Sequence, residues 1–295
     1  MSAAARRRQI AVAYALMTPA LALVLGVLAY PVAWEIWVSL TNFSSRGDGR
    51  PSFVGLANYD KLLRDVEFWR AMATTLVYFA VTTAAKLVLG IGMALLLARP
   101  SRGRALVFLA VFLPWAYPGG VTVVAWYWML NPPLITGYSV FMGNLKHAVD
   151  AVFGTGAWAF ASVALFSVWR GGSFTAIFLL AGLNAIPTEL FDYARLETRS
   201  AWQRFRAVTL PLLRPYMALA VFISFTTAFA DLGNVWMLTG GLIVFPLVGT
   251  HAYWLAIKSG QFADAAAWTL SLVPLLLIAL FFLFRWFDPR EETAA

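Results

Sequence analysis

Three short clusters hold the polar and aromatic side chains best suited to grip a small molecule. The stretch Ser167-Val168-Trp169-Arg170-Gly171-Gly172-Ser173-Phe174 puts a charge and two glycines inside an otherwise apolar run. Pro114-Trp115-Ala116-Tyr117-Pro118-Gly119-Gly120 sets two aromatics at a bend marked by prolines. Ser224, Thr227 and Asp231 are spaced three and four residues apart, which puts them on one face of a helix. Groups of this kind bind rather than react. Aromatic faces pack against the C–H faces of sugars, and Arg, Ser, Thr and Asp bind hydroxyls. An arginine in a membrane helix costs about 3 kcal/mol on insertion scales and usually faces a cavity or a partner. Lys86 is a second cation near the middle of an apolar run.

Each cluster also has a plainer reading. Trp and Tyr serve as interfacial belts, and Ser224 and Thr227 can bond their own helix backbone. Arg170 can pair with a carboxylate of a second chain, Lys86 can snorkel, and the glycines can serve close helix packing.

Reactive constellations are missing from the sequence. There is no Cys, so no disulfide, thiol nucleophile or thiolate metal site arises. His147 and His251 stand far apart with no ligand spacing around them, and metal binding is not expected. No phosphate-binding loop of the G-x-x-x-x-G-K-[ST] type occurs, so ATP is not handled by this chain. A membrane enzyme acting on lipid or lipid-linked sugar would want clustered carboxylates or histidines at one membrane face. The loops hold only the scattered acids Asp60, Asp65, Glu67 and Asp150. A proton- or sodium-coupled carrier would want several carboxylates buried in its spans, and few occur there.

The elements that must position these clusters are membrane helices. The chain of 295 residues is 61% hydrophobic and only 12% charged, against about 25% charged in soluble domains. Six apolar runs approach or exceed the roughly 20 residues needed to cross a bilayer. They lie at about 10–33, 71–98, 105–130, 157–184, 216–237 and 265–287. The period-two alternation of a membrane barrel is absent, so the expected class is an all-α membrane protein with six transmembrane helices. Extramembrane stretches are each too short for an independent core, and no internal repeat stands out. A single membrane domain over 1–295 is therefore expected.

Orientation follows from the basic residues. Arg6, Arg7, Arg8, Arg99, Arg102, Arg104, Arg195, Arg199, Arg204, Arg206, Arg214, Arg285 and Arg290 all fall on one side of an N-in, C-in topology. The other side holds Arg46, Arg50, Lys61, Arg64, Arg70, Lys146 and Lys258, mostly in one long loop, where the rule is weaker. The net charge of +8 is mainly this bias, which makes anionic headgroups, not nucleic acid, its partner. The first apolar run continues to about Val38, beyond a signal core, and is expected to remain as an uncleaved span.

Between the fourth and fifth runs lies AGLNAIPTELFDYARLETRSAWQRFRAVTLPLLRP, residues 181–215. Thr188 is placed to cap a helix with Leu190, Phe191, Ala194 and Leu196 mostly on one side. Ser200-x-x-Gln203 forms a capping box that opens a second helix, which Pro211 is expected to end. Two short helices at an angle form a rigid knob for a partner to grip.

This segment resembles the coupling loop of the permease subunits of binding-protein-dependent ABC importers, the kind that import maltose, other sugars and glycerol-3-phosphate. That family shows Glu-Ala-Ala, then an acidic residue and Gly, then an aliphatic-x-Leu-Pro. Here stand Asp192-Tyr193-Ala194, Glu197-Thr198 and Val208-Thr209-Leu210-Pro211. The apolar run that Pro31 ends in AYPVAWEIWVSL, Phe53-Val54-Gly55-Leu56-Ala57-Asn58-Tyr59, Leu89-Gly90-Ile91-Gly92-Met93-Ala94, Phe112-Leu113-Pro114 and Leu238-Thr239-Gly240-Gly241 match in family order. The departures are Asp192 and Tyr193 for Glu and Ala, Thr198 for Gly, and Arg199 for a small residue. A Gly would permit a left-handed turn that Thr disfavours, so the bend is expected to be held by the Ser200 cap.

The resemblance implies a multi-pass permease of a bacterial or archaeal cytoplasmic membrane, not an enzyme. Its partners would be a second permease, two ATPase subunits carrying ATP and Mg, and an extracytoplasmic solute-binding protein. The coupling loop, about 187–215, would dock on the ATPase through Leu190, Phe191, Asp192, Ala194, Glu197, Thr198 and Arg199. The plainer reading of that loop is an amphipathic helix on lipid headgroups. Solute sites lie near the midplane where helices are broken by Gly or Pro. That makes Trp115, Tyr117, Ser167, Arg170, Gly171, Phe174, Ser224, Thr227 and Asp231 the candidate pathway. The solute implied is a sugar or oligosaccharide, or alternatively an anionic polyol phosphate such as glycerol-3-phosphate.

Overall fold

The structure, a computed structural model, describes residues 3–45, 47, 51–99, 102–130, 137–153, 156–239 and 246–286. Gly240, Gly241, Arg46, Arg50 and Arg290, all weighed in the sequence, lie outside them, as do the side chains of Arg6, Arg7 and Arg8. Two compact units emerge, Met1–Asp65 with Ala252–Ser271, and Val66–His251 with Leu272–Ala295.

In the first unit, helix α1 (Ala3–Val24) passes through a π-helical turn at Leu25–Ala29 into α2 (Tyr30–Ser39). The helix therefore continues past Pro31 to Ser39, in keeping with a first span expected to reach about Val38. A proline lacks the N–H for the bond to residue i−4 and clashes with that carbonyl. For Pro31 that residue is Val27, inside the π turn, where the bonding register has already shifted. Beyond α2, the Phe53–Tyr59 motif ties off the helix end. Val54 and Gly55 donate their N–H groups to Leu40 O, and Asn58 Nδ2 donates to the carbonyls of Ser39 and Thr41, both at 2.7 Å. Gly55 holds φ +62°, the left-handed conformation that glycine adopts without strain. Helix α3 (Ala57–Arg64) follows, and Lys61 reaches Asp264 at 2.7 Å.

The second unit is built around α4 (Val66–Ala98) and α8 (Ala157–Ala185), which form its most extensive helix pair. Glycines allow their close approach. A Cβ on Gly90 would meet Thr175 Cγ2 at 2.6 Å, and one on Gly172 would meet Leu89 Cδ2 at 2.8 Å. Between these helices in sequence come α5 (Arg104–Ala116), α6 (Gly119–Leu130) and α7 (Gly137–Phe153). Next follow α9 (Thr188–Glu197), α10 (Ala201–Arg204), α11 (Leu210–Ala230) and α12 (Leu232–Leu238). One apolar core gathers Tyr78, Val123, Val163, Phe166, Ala228 and Val235; another gathers Ala94, Leu97, Ala176, Leu179 and Leu213.

Helix α13 (Val248–Tyr253), a π turn at Trp254–Lys258, α14 (Phe262–Leu270) and α15 (Val273–Trp286) complete the described chain. Among the described residues, five helices are long and apolar enough to cross a membrane: Tyr14–Ser39, Val66–Ala98, Ala157–Ala185, Ala201–Phe229 and Phe262–Leu283. A sixth arises if α5 and α6, bent by 92° at Tyr117–Pro118, count as one broken span.

The fifth apolar helix departs from the sequence expectation. Pro211 does not end the short helix that Ser200 opens. The chain runs on through a π turn at Phe205–Thr209 into α11, and Ala207, the residue i−4 to Pro211, sits in that turn. The helix instead breaks at Asp231, inside the run expected to be continuous over 216–237.

Candidate functional site

A cavity of about 330 Å³ opens among α4, α5, α8, α11 and α12. Its wall brings together Trp115, Ser167, Arg170, Gly171, Phe174, Ser224, Thr227 and Asp231, together with Lys86. Eight of the nine pathway residues expected from the sequence thus converge. The ninth, Tyr117, lies off the wall. It sits in extended conformation before Pro118 (φ −70°, ψ 143°), which turns its side chain outward.

Tyr117 contributes through its backbone. Because α5 ends at Ala116 and Tyr117 is extended, the Tyr117 carbonyl points off the helix ladder. Arg170 Nη1 donates to it at 2.9 Å. A guanidinium at a helix C-terminus also meets the negative end of the helix dipole. Arg170 therefore clamps the α5–α6 break while forming part of the cavity wall.

Lys86 extends over Gly171. A Cβ at residue 171 would stand 2.6 Å from Lys86 Cε and 3.3 Å from Nζ, so the glycine provides the slot in which the lysine lies. Only 5% of the Lys86 surface is exposed.

Asp231 occupies the break between α11 and α12 (φ −78°, ψ 37°). Tyr78 Oη donates to Asp231 Oδ2 at 2.9 Å, and Asn234 Nδ2 donates to Oδ1 at 2.5 Å. Tyr78 is wholly buried and Ser167 interacts with the same phenol. Sequence reasoning missed Tyr78 and Asn234. Asn234 could have been found three residues after Asp231; nothing local marks Tyr78, which lies 153 residues away.

Trp115 and Phe174 bring their ring centroids within 5.6 Å at the wall and form its aromatic side. Thr227 Oγ1 bonds the Ser224 carbonyl at 3.1 Å, the backbone bond foreseen as its plainer role, while remaining on the cavity wall.

The loop after α8 forms a second candidate surface. Its Thr188 makes no side-chain cap; the turn begins after Pro187 instead. Leu190, Phe191, Ala194 and Leu196 do not share a side. Ala194 is buried and Phe191 packs on the core containing Leu183, Ile186 and Leu213, whereas Leu196 is 85% exposed. The helical angle between residues 194 and 196 is about 200°, which forces them apart. Tyr193 and Trp202, 68% and 66% exposed, join Leu196 as the large outward apolar groups. Asp192 pairs with Arg195 at 2.9 Å, a solvated i,i+3 contact.

Thr198 adopts extended backbone (φ −147°, ψ 138°), not a left-handed turn. Its hydroxyl accepts from the Ser200 N–H at 3.2 Å and donates to Gln203 Oε1. Ser200 Oγ in turn accepts from the Gln203 N–H at 3.4 Å. The capping box forms with Thr198 as its relay, and Arg204 Nη1 adds a bond to the Thr198 carbonyl at 2.9 Å. Glu197 and Arg199 flank this bend.

Comparison with known proteins places this architecture. The family model for the binding-protein-dependent transport system inner membrane component matches residues 86–293. The trehalose transport system permease protein SugA of Mycobacterium tuberculosis is 35% identical over 78% of this chain and 73% of its own. The trehalose/maltose transport system permease protein MalF of Thermococcus litoralis is 31% identical over 79% of each. A crystal structure of a bacterial alginate ABC transporter, in complex with its alginate pentasaccharide-bound periplasmic protein, has a chain of the same fold. It superposes with a TM-score of 0.70 at 17% identity, over 94% of this chain and 93% of that one. The chain belongs to the family of inner membrane components of binding-protein-dependent transport systems, and it is a transport permease.

Proposed function

We propose that this permease forms half of the pathway by which an ATP-driven importer carries a sugar or oligosaccharide delivered by an extracytoplasmic binding protein. The observation that carries the reading is the convergence, from separate helices, of an aromatic wall and hydroxyl-binding groups on one cavity. Trp115 and Phe174 offer faces to sugar C–H groups, and Ser167, Ser224, Thr227 and Asp231 offer donors and acceptors to hydroxyls. The names of the relatives, which specify trehalose and maltose, support the same class of solute.

In this reading the chain is one membrane domain with six spans and both termini in the cytoplasm. A second permease closes the cavity, and two ATPase subunits hold ATP and Mg. The loop over α9 and α10 couples hydrolysis to transport. Its exposed Tyr193, Leu196 and Trp202 dock in the ATPase cleft, while Phe191 and Ala194 anchor the loop to the membrane domain.

Reconstitution of the complex with its binding protein tests this. Leu196→Asp should preserve the folded permease, since the side chain is exposed, yet abolish saccharide-stimulated ATP hydrolysis. Full stimulation in that variant would refute the docking surface, and no response to any saccharide would refute sugar import.

A further inference from the structure

The charged groups of the cavity are unequally satisfied. Asp231 receives the Tyr78 hydroxyl on one oxygen and the Asn234 amide on the other. Arg170 spends Nη1 on the Tyr117 carbonyl. Among the described residues, no hydrogen bond or ion pair reaches the Lys86 ammonium, although the residue is nineteen-twentieths buried. Its interaction with Asp231 is through space only. The side chain is held over Gly171 and lines the cavity. Two cations therefore share one carboxylate on this cavity, an excess of one positive charge.

An ammonium that reaches a cavity with no protein partner offers its donors to whatever enters there, since a charge so little exposed gains from being paired. A neutral hydroxyl accepts its hydrogen bonds but leaves the charge uncompensated. An oxyanion supplies both, through charge-assisted bonds roughly twice as strong as neutral ones. The cavity, about 330 Å³, falls at the small end of ligand sites, so an anionic group that enters beside the aromatic wall comes close to both cations.

We infer that the solute is a saccharide bearing an oxyanion, a carboxylate, sulfonate or phosphate, and that Lys86 in the slot left by Gly171 is the residue that selects it. The inference rests on the sugar-import reading and narrows it. Lys86 acts here as a specificity-determining residue, with Arg170 as the second cation.

The test uses the whole complex with its binding protein in lipid nanodiscs. ATPase stimulation is measured with trehalose, maltose, a uronate oligosaccharide, a sulfonated glycoside, a sugar phosphate and glycerol-3-phosphate. An acidic saccharide should stimulate, and Lys86→Met should reduce that stimulation at least tenfold while the subunits co-purify in unchanged yield. Lys86→Arg should recover part of it, and the responding member identifies the oxyanion. Stimulation by a neutral disaccharide, undiminished by Lys86→Met, overturns the inference and leaves sugar import standing. Loss of co-purification in Lys86→Met also overturns it, because Lys86 would then pair with a carboxylate of another subunit. A response to glycerol-3-phosphate alone, or to nothing in the panel, removes the sugar-import reading and this inference with it.

Discussion

Lys86 and Gly171 are fitted to one another across the α4–α8 contact, with Lys86 Cε 2.6 Å from where a Cβ on residue 171 would lie. The pairing makes two features of the sequence, a lysine in mid-span and a glycine beside an arginine, parts of one arrangement. Neither has an evident purpose alone.

Gly171→Ala should therefore expel Lys86 from its slot. The atoms in the way are the far end of a flexible side chain, so the cost in stability is small, but the displaced ammonium loses its position in the cavity. Solute-stimulated ATP hydrolysis should fall strongly, whereas Gly143→Ala, at a position with open space around it, should have no effect. Equal activity in both variants would show that the slot is not required.

The Arg170–Tyr117 bond should stabilise the permease before any solute arrives. A hydrogen bond to a charged group contributes about 1.5–3 kcal/mol, and this one secures the break between α5 and α6. Arg170→Met should lower the unfolding midpoint of the detergent-solubilised permease by a corresponding amount without solute. Arg170→Lys should recover little, because a lysine lacks the planar fork. An unchanged midpoint in the methionine variant would remove the clamp.

Tyr78 and Asp231 should be energetically coupled. Tyr78→Phe keeps the ring but leaves a carboxylate oxygen without its donor, at a cost of about 1–3 kcal/mol. Asp231→Asn alters the same bond from the other end. A double-mutant cycle on unfolding should give a coupling of about 0.5–3 kcal/mol, and additive effects would mean the two residues act independently.

At the loop bend, Thr198→Gly should weaken rather than relieve the turn. The backbone there is extended, so a glycine gains nothing from left-handed freedom, while the hydroxyl bridge between Ser200 and Gln203 is lost. The expected loss is about 1–2 kcal/mol of local stability. It should be read as more ATP hydrolysed per solute carried, with Thr198→Ser close to the parent. An unaltered ratio in the glycine variant would discount the relay.

The sequence alone determined the class and most of the site's membership. Apolar runs of bilayer length are legible because soluble folds rarely carry several of them, and a mid-span Arg170 is conspicuous because burying charge in such a run is costly. The capping box at Ser200 was legible as well, because it depends on residues three apart. Tertiary structure decided the relationships between segments. Helical periodicity cannot indicate which face of α9 turns inward, and the packing of Phe191 on the core with the burial of Ala194 made Leu196 the outward group. Nor can a local rule foresee that π turns carry the chain through Pro31 and Pro211, since a proline's cost depends on the register of the preceding carbonyls. Tyr78 on Asp231 and Lys86 over Gly171 join residues far apart in the chain. The first contact depends on α11 packing against α4, and the second on the close approach of α4 and α8 at their glycines.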